Sequence, residues 1–396
     1  MIIPELLIPA GSLEKLKTAA LYGADAVYLS GQKFGLRTAA ENFTLDELEV
    51  GIGFAKAHGV KTYIVLNGFL HDKDLAELPA FVKAITTLGA DGVIASDLGV
   101  ITTVTEHSEI PVHLSTQASC LNKESGLLWR DLGVKRLILG REVSIAHAGQ
   151  IKKSTGLEVE LFIHGSMCMA YSGNCTISNF TQGRDSNRGG CAQSCRFSYT
   201  LVDQPDAKPT YLMSSKDLLG LRLIPQFAEA EIDSVKIEGR MRSPLSAGMT
   251  AKLYRQALDA FSRSRNEFDA LLEHLEGELE KIPHREYTQA SLIQPASSDS
   301  VLKIETRSLH RPEYQFVGIV NQIRGDSILV EVRSAFKPNE MLEVVSFDDH
   351  PIPLPVAQVK SIKGEDLEMA KISTLVRLPR IPGVSEGQLI RKQVIS

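Results

Sequence analysis

The sequence predicts an α/β fold: a (β/α)8 TIM-like barrel, followed by a helical bridge and a small C-terminal β-barrel. Through about the first 240 residues, short β-branched runs alternate with amphipathic stretches, giving eight strand–helix repeats. Eight parallel strands are the number that closes into a barrel. From about residue 303 the pattern changes to short alternating strands and tight turns, which is typical of a small β-barrel. A doubly wound sheet is the alternative, but Pro9-Ala10-Gly11-Ser12 is not its usual phosphate turn.

The eight barrel strands are predicted at residues 5–9, 25–30, 61–67, 91–97, 111–117, 136–140, 158–165 and 233–240. Helix ends carry local signals. Ser12 can cap the first helix, and Thr44-Leu45-Asp46-Glu47 is a capping box. Four glycines stand where a helix must end before a strand, namely Gly23, Gly59, Gly89 and Gly133. The C-terminal strands are predicted at residues 316–323, 326–334, 341–347, 356–362 and 367–378.

Length and charge restrict the organisation and the class of protein. The 396 residues suffice for a barrel at 1–262, a helical bridge at 263–302 and a C-terminal β-barrel at 303–396. A net charge of −5 excludes a uniformly basic nucleic-acid surface, although a local patch stays open. No apolar run approaches the ~20 residues that span a bilayer, and the first residues lack an export signal. We therefore expect a cytoplasmic protein with no membrane association.

Four of the five cysteines cluster in an insertion after the seventh strand, residues 166–232: Cys168, Cys175, Cys191 and Cys195. Such clustering indicates metal or redox chemistry rather than a disulfide framework. Structural zinc usually has paired C-x2–4-C motifs, which only Cys191 and Cys195 approach. We therefore favour an iron–sulfur cluster over zinc or unligated thiols, and expect the four sulfurs to lie close enough to share one centre. Cys120 is expected to be a buried small hydrophobe.

Alternation along the strands predicts polar side chains inside the barrel. In Val235-Lys236-Ile237-Glu238 the apolar pair should face the helices, which places Lys236 and Glu238 inside. Buried charges are costly unless they are paired or used, so a structural pair between Lys236 and either Glu160 or Glu238 is the alternative to a site. We predict catalytic roles for His164, Lys236 and Glu238. The other side chains expected inside are Glu160, His113, Ser115 and Gln117.

Arginines follow several strand ends, where the active site of a barrel is expected. Arg37, Arg141 and Arg240 are predicted to bind the carboxylates of a small molecule, because arginine recognises such groups bidentately. Arg242 is a further strand-end arginine. Arginines of the cysteine insertion could contact a nucleic-acid backbone, namely Arg184, Arg188 and Arg196. A basic face on the C-terminal module is predicted from Lys360, Lys363, Arg377, Arg380, Arg391 and Lys392.

Several motifs resemble those of one known family. The run Glu160-Leu161-Phe162-Ile163-His164-Gly165-Ser166-Met167-Cys168, followed by Tyr171-Ser172-Gly173-Asn174-Cys175-Thr176-Ile177-Ser178, is similar to the signature of the collagenase-like peptidase family of unknown catalytic type. The resemblance extends over essentially the whole chain through Pro9-Ala10-Gly11, Gly23-Ala24-Asp25-Ala26-Val27-Tyr28, Ser115-Thr116-Gln117, Ser214-Ser215-Lys216-Asp217-Leu218, Lys236-Ile237-Glu238-Gly239-Arg240 and His284-Arg285-Glu286-Tyr287-Thr288.

The resemblance implies a hydroxylase rather than a peptidase, since no catalytic triad is apparent and the cysteines look occupied. Similar members carry a [4Fe–4S] cluster and hydroxylate tRNA, ribosomal RNA or a quinone precursor without dioxygen. The C-terminal module most resembles the tRNA branch, which forms 5-hydroxyuridine at the wobble position with prephenate, a dicarboxylate, as hydroxyl donor. Some bacteria divide that function between two related chains, so a related family member is a candidate partner. A collagenase-like protease is the alternative from another class.

Overall fold

The computed structural model describes residues 2–36, 42–203, 208–302, 313–348 and 350–394. Its strands belong to two sheets. The first sheet contains β1 (Glu5–Pro9), β2 (Ala26–Leu29), β3 (Lys61–Leu66), β4 (Gly92–Ala95), β5 (Val112–Leu114), β6 (Arg136–Ile138), β7 (Glu158–Ser166), β8 (Asp217–Leu219), β9 (Ser234–Ile237) and β10 (Tyr287–Thr288). The second contains β11 (Tyr314–Arg324), β12 (Ser327–Val332), β13 (Met341–Val345), β14 (Ile352–Pro355), β15 (Lys360–Ser361), β16 (Leu375–Pro379) and β17 (Leu389–Gln393).

Helices connect most of the strands of the first sheet and continue beyond it. They are α1 (Leu13–Leu21), α2 (Leu45–Ala57), α3 (Asp72–Leu75), α4 (Leu78–Leu88), α5 (Leu98–His107), α6 (Lys123–Asp131), α7 (Ile145–Thr155), α8 (Ile177–Gln182), α9 (Ile224–Glu229), α10 (Pro244–Arg263), α11 (Arg265–Glu280) and α12 (Ser298–Val301). No helix within the described ranges is long and apolar enough to cross a bilayer.

Eight strands close into the predicted parallel barrel. Strands β1 to β7 pair in chain order, and β9 pairs with β7 on one side and β1 on the other. Alternation separates two apolar clusters: Leu6 and Ile8 pack in the large core of the helical layer, whereas Leu7 packs with Tyr28 and Tyr63 in the interior. The TIM-like fold class is therefore confirmed.

The local signals at helix ends also operate as predicted. The Ser12 hydroxyl accepts a bond from the backbone N–H of Lys15, and Thr44 with Glu47 forms a reciprocal capping box. All four predicted stop glycines have positive φ, between +71° and +97°. Glycine takes this left-handed conformation without the steric cost that a Cβ would bring, so the helix ends there and the chain turns into the next strand.

The part of the insertion that carries the cysteines lies between two neighbouring strands, β7 and β8. The upper part of β7 pairs antiparallel with β8, which joins Gly165 to Leu218 and Ser166 to Asp217. Strand β10 then adds to β8, bringing Tyr287 beside Asp217. The sequence did not predict β8 or β10, because strands of three and two residues are too short to show a period.

The C-terminal module is an antiparallel sheet in the order β14-β13-β17-β11-β12-β16-β15. It has its own core, which includes Val317, Val330, Leu342 and Ile390. Hydrogen bonding does not join β14 to β15 in the described residues, so the predicted small β-barrel has the form of an antiparallel half-barrel. The sequence did not predict the central strand β17, because Arg391 and Lys392 break its apolar pattern.

The half-barrel packs directly on the outside of the TIM-like barrel. The Tyr22 hydroxyl of α1 donates to the carbonyl of Val345 at 2.7 Å and accepts from the backbone N–H of Leu389 at 2.9 Å. Lys252 of α10 donates to the carbonyl of Ser346 at 2.8 Å. Val345 and Leu389 belong to the core of the helical layer. The module is therefore part of the same packed body.

Candidate active site at the mouth of the barrel

The base of the barrel interior holds an ion-pair network in place of the usual aliphatic layers. Arg136 donates to Glu5 at 2.7 Å, to Glu160 at 3.2 Å and to Glu158 at 2.8 Å. Glu5 also accepts from the Tyr63 hydroxyl at 2.8 Å. Burial alone would raise the pKa of Glu5, but Arg136, Tyr63 and Lys61 together lower it, and the net shift is downward. The network therefore keeps buried charges paired, as they must be.

Lys236 lies above this network and connects it to the mouth of the barrel. Its Nζ lies 2.9 Å from Oε1 of Glu160 and 4.5 Å from the centre of the Tyr28 ring. Burial lowers the pKa of Lys236, while Glu160 acts in the opposite direction. The sequence left open whether Lys236 forms a structural pair or belongs to a site. The structure shows the pair with Glu160 and also places Lys236 in the lining of the cavity above.

A cavity of about 360 Å³ opens above Lys236 at the carboxyl ends of the strands. All four clustered cysteines line it, together with Ser115, Gln117 and Asn67. Glu238 is the acidic side chain among the described lining residues. The basic ones are more numerous: Arg141, Arg196, Lys236, Arg240, Arg242 and Arg285. A concave site with this excess of positive charge suits an anionic ligand.

Two of the three predicted carboxylate-binding arginines meet in this cavity. The guanidinium carbon of Arg141 lies 3.9 Å from the centre of the Phe162 ring. The aromatic ring therefore packs against the guanidinium group and fixes its orientation. Arg240 is 6% exposed. A Cβ at Gly11 would lie 2.3 Å from the Arg240 carbonyl, so the loops after β1 and β9 approach too closely for any side chain there. Arg37 lies outside the described residues.

A buried carboxylate orients two further arginines. Asp217 lies 2.6 Å from Nη2 of Arg242 and 3.3 Å from Nη1 of Arg285, and both arginines also donate to the Ser166 hydroxyl. Burial would raise the pKa of Asp217, but the two guanidinium groups and the Arg285 backbone N–H lower it overall. Neither Asp217 nor Arg285 was predicted for the site, although both lie in motifs that carry the family resemblance.

The cysteines lie on separate turns of the insertion. Cys168 and Cys191 are exposed, and Cys175 and Cys195 are partly buried. Burial raises the pKa of the Cys195 thiol, Arg196 opposes this, and the other three cysteines raise it further. Within the described ranges no three Cys, His, Asp or Glu side chains stand at metal-ligand spacing. All four cysteines line the same cavity, and the expectation that their sulfurs share one centre stays a prediction.

The donor chemistry of the insertion nevertheless fits a soft metal centre. Four thiols line one cavity, and thiolates are the ligands that iron–sulfur clusters and zinc prefer. Cys168, Cys175, Cys191 and Cys195 would hold such a centre. Cys120 is 3% exposed and packs in the helical layer, as predicted.

His164 does not face the cavity, so its predicted inward orientation is wrong. A bulge in the pairing of β7 with β9 places Phe162 opposite Lys236 but His164 opposite Ile237. The imidazole Nδ1 lies 3.3 Å from the Tyr254 hydroxyl of α10. Burial lowers the pKa of His164 to about 3. Strand alternation failed at this point because the bulge adds one residue to the register.

Glu238 stands where the ends of β7 and β9 touch. Its carboxylate accepts from the backbone N–H of Ser166 at 3.2 Å. Gly165 has φ +106°, and a Cβ there would lie 2.2 Å from the Glu238 carbonyl. The glycine therefore permits the close approach that brings Glu238 into the cavity wall.

The predicted nucleic-acid contacts are only partly available. Arg196 is 5% exposed, so its predicted contact with a nucleic-acid backbone is wrong. Arg188 is paired with Asp74 at 2.8 Å, whereas Arg184 is exposed.

On the C-terminal module Arg391 is 2% exposed. It pairs with Glu278 and Glu343 at 3.1 and 2.8 Å, and Lys392 pairs with Glu340 at 2.7 Å. The exposed members of the expected basic face are Lys363 and Arg380.

Family comparison places these motifs in a known group. The family described as Peptidase family U32 matches residues 11–301, and its C-terminal domain, described as Peptidase family U32 C-terminal domain, matches residues 312–391. The chain belongs to peptidase family U32. The resemblance drawn from the motifs is confirmed, and the cysteine insertion and cavity lie within the first matched region.

Relatives in this family have names of two kinds. A Bacillus subtilis protein named tRNA hydroxylation protein P1 is 37% identical over 380 residues, covering 93% of this chain and 89% of that protein. An Escherichia coli protein named tRNA hydroxylation protein P is 31% identical over 422 residues, covering 93% and 92%. A Porphyromonas gingivalis protein named Collagenase is 31% identical over 284 residues, covering 67% and 68%.

Proposed function

We propose that this U32 chain is an iron–sulfur-dependent enzyme that hydroxylates RNA. The observation that carries the proposal is the shared cavity: four cysteines and six basic side chains line the same mouth of the barrel. A metal centre beside a receptor for an anionic small molecule is what a donor-dependent hydroxylation requires. Two relatives that span most of this chain are named for tRNA hydroxylation, which supports RNA as the substrate.

The finer assignment rests on the family resemblance. It gives tRNA as the RNA class, 5-hydroxyuridine at the wobble position as the product, a [4Fe–4S] cluster as the cofactor and prephenate as the hydroxyl donor. The cavity is consistent with a dicarboxylate such as prephenate because its cationic side chains outnumber its acidic ones. A second family member as partner chain belongs to the same proposal.

The donor would be held by its carboxylates. The guanidinium of Arg141 packs against the Phe162 ring. Because its orientation is already fixed, the side chain would lose little conformational entropy when its N–H groups bind a carboxylate. Arg240 is nearly buried beside it. Together they would orient the donor over Lys236.

Proton handling falls to Lys236 and Glu238. When the donor supplies the hydroxyl, its C–O bond and the C5–H bond of the pyrimidine break and a C5–O bond forms. The donor takes up the two electrons that the base loses, and the proton released from C5 needs an acceptor in the site. Glu238 is the acidic group among the described cavity residues and would take the proton. Lys236 would donate a hydrogen bond to the hydroxyl that leaves the donor, while Glu160 keeps it charged. A cluster held by the four cysteines would supply redox or Lewis-acid chemistry beside the donor.

The geometry gives less support to proteolysis. His164 and Ser166 are near neighbours on β7, but the imidazole points to Tyr254 and the Ser166 hydroxyl accepts from Arg242 and Arg285. A serine nucleophile needs a base within hydrogen-bond reach, and this histidine is not directed at it.

The test is anaerobic purification followed by iron and sulfide analysis and mass spectrometry of nucleosides from tRNA incubated with prephenate. We expect iron, sulfide and 5-hydroxyuridine, with or without a second family member. Replacing Cys168, Cys175, Cys191 or Cys195 by serine should remove most of the iron, whereas Cys120→Ser should not. Stoichiometric zinc without iron would refute the cluster. Gelatin cleavage with unchanged nucleosides would favour the peptidase.

A further inference from the structure

Arg196 is a buried cation whose partners in the described parts of the chain are neutral. Its Nη1 donates to the Ser215 carbonyl at 2.5 Å and to the Ser214 hydroxyl at 3.4 Å, and its Nη2 donates to the Met167 carbonyl at 2.9 Å. Only 5% of the residue is exposed. A charge this deeply buried is costly unless an opposite charge accompanies it.

In the part of the chain that the structure describes, the hydrogen bonds of Arg196 go to neutral groups and no carboxylate forms an ion pair with it. Asp217 is the nearby carboxylate, and Arg242 and Arg285 already share it. Three guanidinium groups therefore accompany one carboxylate at this wall of the cavity.

The cysteines are the groups that can supply the missing negative charge. Arg196 follows Cys195 in the chain, and its bond to the Met167 carbonyl places it beside Cys168. Four thiolates around a doubly charged metal core leave the whole centre negative.

We propose that Arg196 is the built-in countercharge of the four-cysteine centre and that it stabilises the reduced state of that centre. This inference rests on the proposed function, since it requires a metal centre at these cysteines. Reduction adds negative charge, so a fixed positive charge nearby favours it. Arg196 is a positioning residue by this account, because it acts on the centre and not on substrate.

The first test is the midpoint potential of the iron-reconstituted full chain. Arg196→Gln should shift the one-electron reduction equilibrium about tenfold toward the oxidised state, which is about 59 mV. Arg196→Lys, which keeps the charge but not the fork, should stay close to the parent chain. Arg188→Gln is the matched control, because that arginine lies in the same loop and already pairs with Asp74. Its potential should not move.

A second variant and a second metal keep the test decisive if Arg196→Gln fails to fold. Ser214→Asp would place a carboxylate against Arg196 without removing the arginine, and should lower the potential in the same direction. Titration of the metal-free chain with Co²⁺, followed by sulfur-to-cobalt absorption, should show about tenfold weaker binding in Arg196→Gln and near-parental binding in Arg196→Lys.

The outcomes separate the two proposals. A parent chain that binds neither iron nor Co²⁺ at the cysteines would refute the metal centre of the proposed function. A parent chain that binds both, with Arg196→Gln and Ser214→Asp unchanged in potential, would refute the countercharge alone. Equal shifts in Arg196→Lys and Arg196→Gln would also refute it, because the hydrogen bonds rather than the charge would then be responsible.

Discussion

Glu160 holds Lys236 by a hydrogen-bonded ion pair across the barrel interior, with Nζ 2.9 Å from Oε1. Glu160 pairs with two cations, Lys236 and Arg136. Among the described residues, Lys236 pairs with one carboxylate, that of Glu160. The pair is therefore asymmetric. Removing the Glu160 carboxylate would leave the buried Lys236 ammonium without an ion-pair partner, whereas removing the ammonium would leave Glu160 still paired with Arg136.

We expect Glu160→Gln to lower the free energy of unfolding by about 3–5 kcal/mol, because it leaves a buried charge unpaired. Lys236→Met should cost less, and the double variant should be more stable than Glu160→Gln alone. Urea unfolding measures all three. Glu77→Gln, which removes an exposed pair with Lys33, is the control and should cost under about 1 kcal/mol. A similarly small effect of Glu160→Gln would contradict the account.

His164 should make the protein sensitive to acid. Its folded pKa of about 3 lies below the unfolded value of about 6.5, so the unfolded chain binds a proton that the folded chain excludes. Stability from this residue is complete above about pH 6.5 and falls by about 1.4 kcal/mol per pH unit between about pH 6 and pH 4. Urea unfolding across that range should show a flatter profile for His164→Gln. Parallel profiles for the two chains would count against the depressed pKa.

Gly165 should tolerate no side chain. Gly165→Ala would combine φ +106° with a Cβ 2.2 Å from the Glu238 carbonyl. Gly156→Ala is the matched control, since Gly156 has φ +71° but no atom within 4 Å of its Cβ position. The control should cost about 1–2 kcal/mol for the left-handed backbone alone, and Gly165→Ala should cost clearly more, as measured by urea unfolding. Equal costs would show that β7 and β9 can separate there.

Arg240→Lys should impair use of the donor more than its retained charge suggests. A point ammonium cannot reproduce a bidentate fork. We expect the KM for prephenate to rise at least about tenfold with a smaller change in kcat, because a lost bidentate contact is worth about 1.5–3 kcal/mol. The same assay on Arg141→Lys should show the same pattern. An unchanged KM for both variants would place the donor elsewhere.

The half-barrel should contribute to RNA binding through Lys363 and Arg380, the exposed members of the predicted basic face. Each phosphate contact contributes about 0.7–0.9 to the slope of log affinity against log salt. Lys363→Glu with Arg380→Glu should therefore reduce that slope by about 1.4–1.8 in a tRNA-binding assay. Charge reversal at Lys83 and Lys153, exposed on α4 and α7, is the control. Deleting the module is unsuitable, because Val345 and Leu389 complete the helical layer.

The sequence predicted most of the barrel because its signals are local. The capping box at Thr44 and the stop at Gly89 depend on residues a few positions apart, and both are present. The same reasoning brought Arg141, Arg240 and Lys236 to one end of the barrel, since parallel strands share their carboxyl ends.

The failures have a common physical cause, which is dependence on distant residues. Arg391 was predicted to lie on the surface. It is buried instead, because ion pairs with Glu278 and Glu343, which are distant in the sequence, offset the cost of burying its charge. The bulge that turns His164 away is a property of two paired strands and leaves no mark in either alone. Asp217 meets Arg285 across 68 residues, a contact that no spacing rule detects.

The short ladder between β7 and β8 has a consequence for how this fold can change. It pins Ser166 against Asp217, so the roughly 50 residues between them begin and end at one fixed point on the barrel. For a loop anchored this way, doubling its length costs only about 0.6 kcal/mol in closure entropy. The exposed turns between the cysteines can therefore lengthen or shorten at little cost in closure entropy, while the pairing of β7 with β8 keeps both ends of the loop in place.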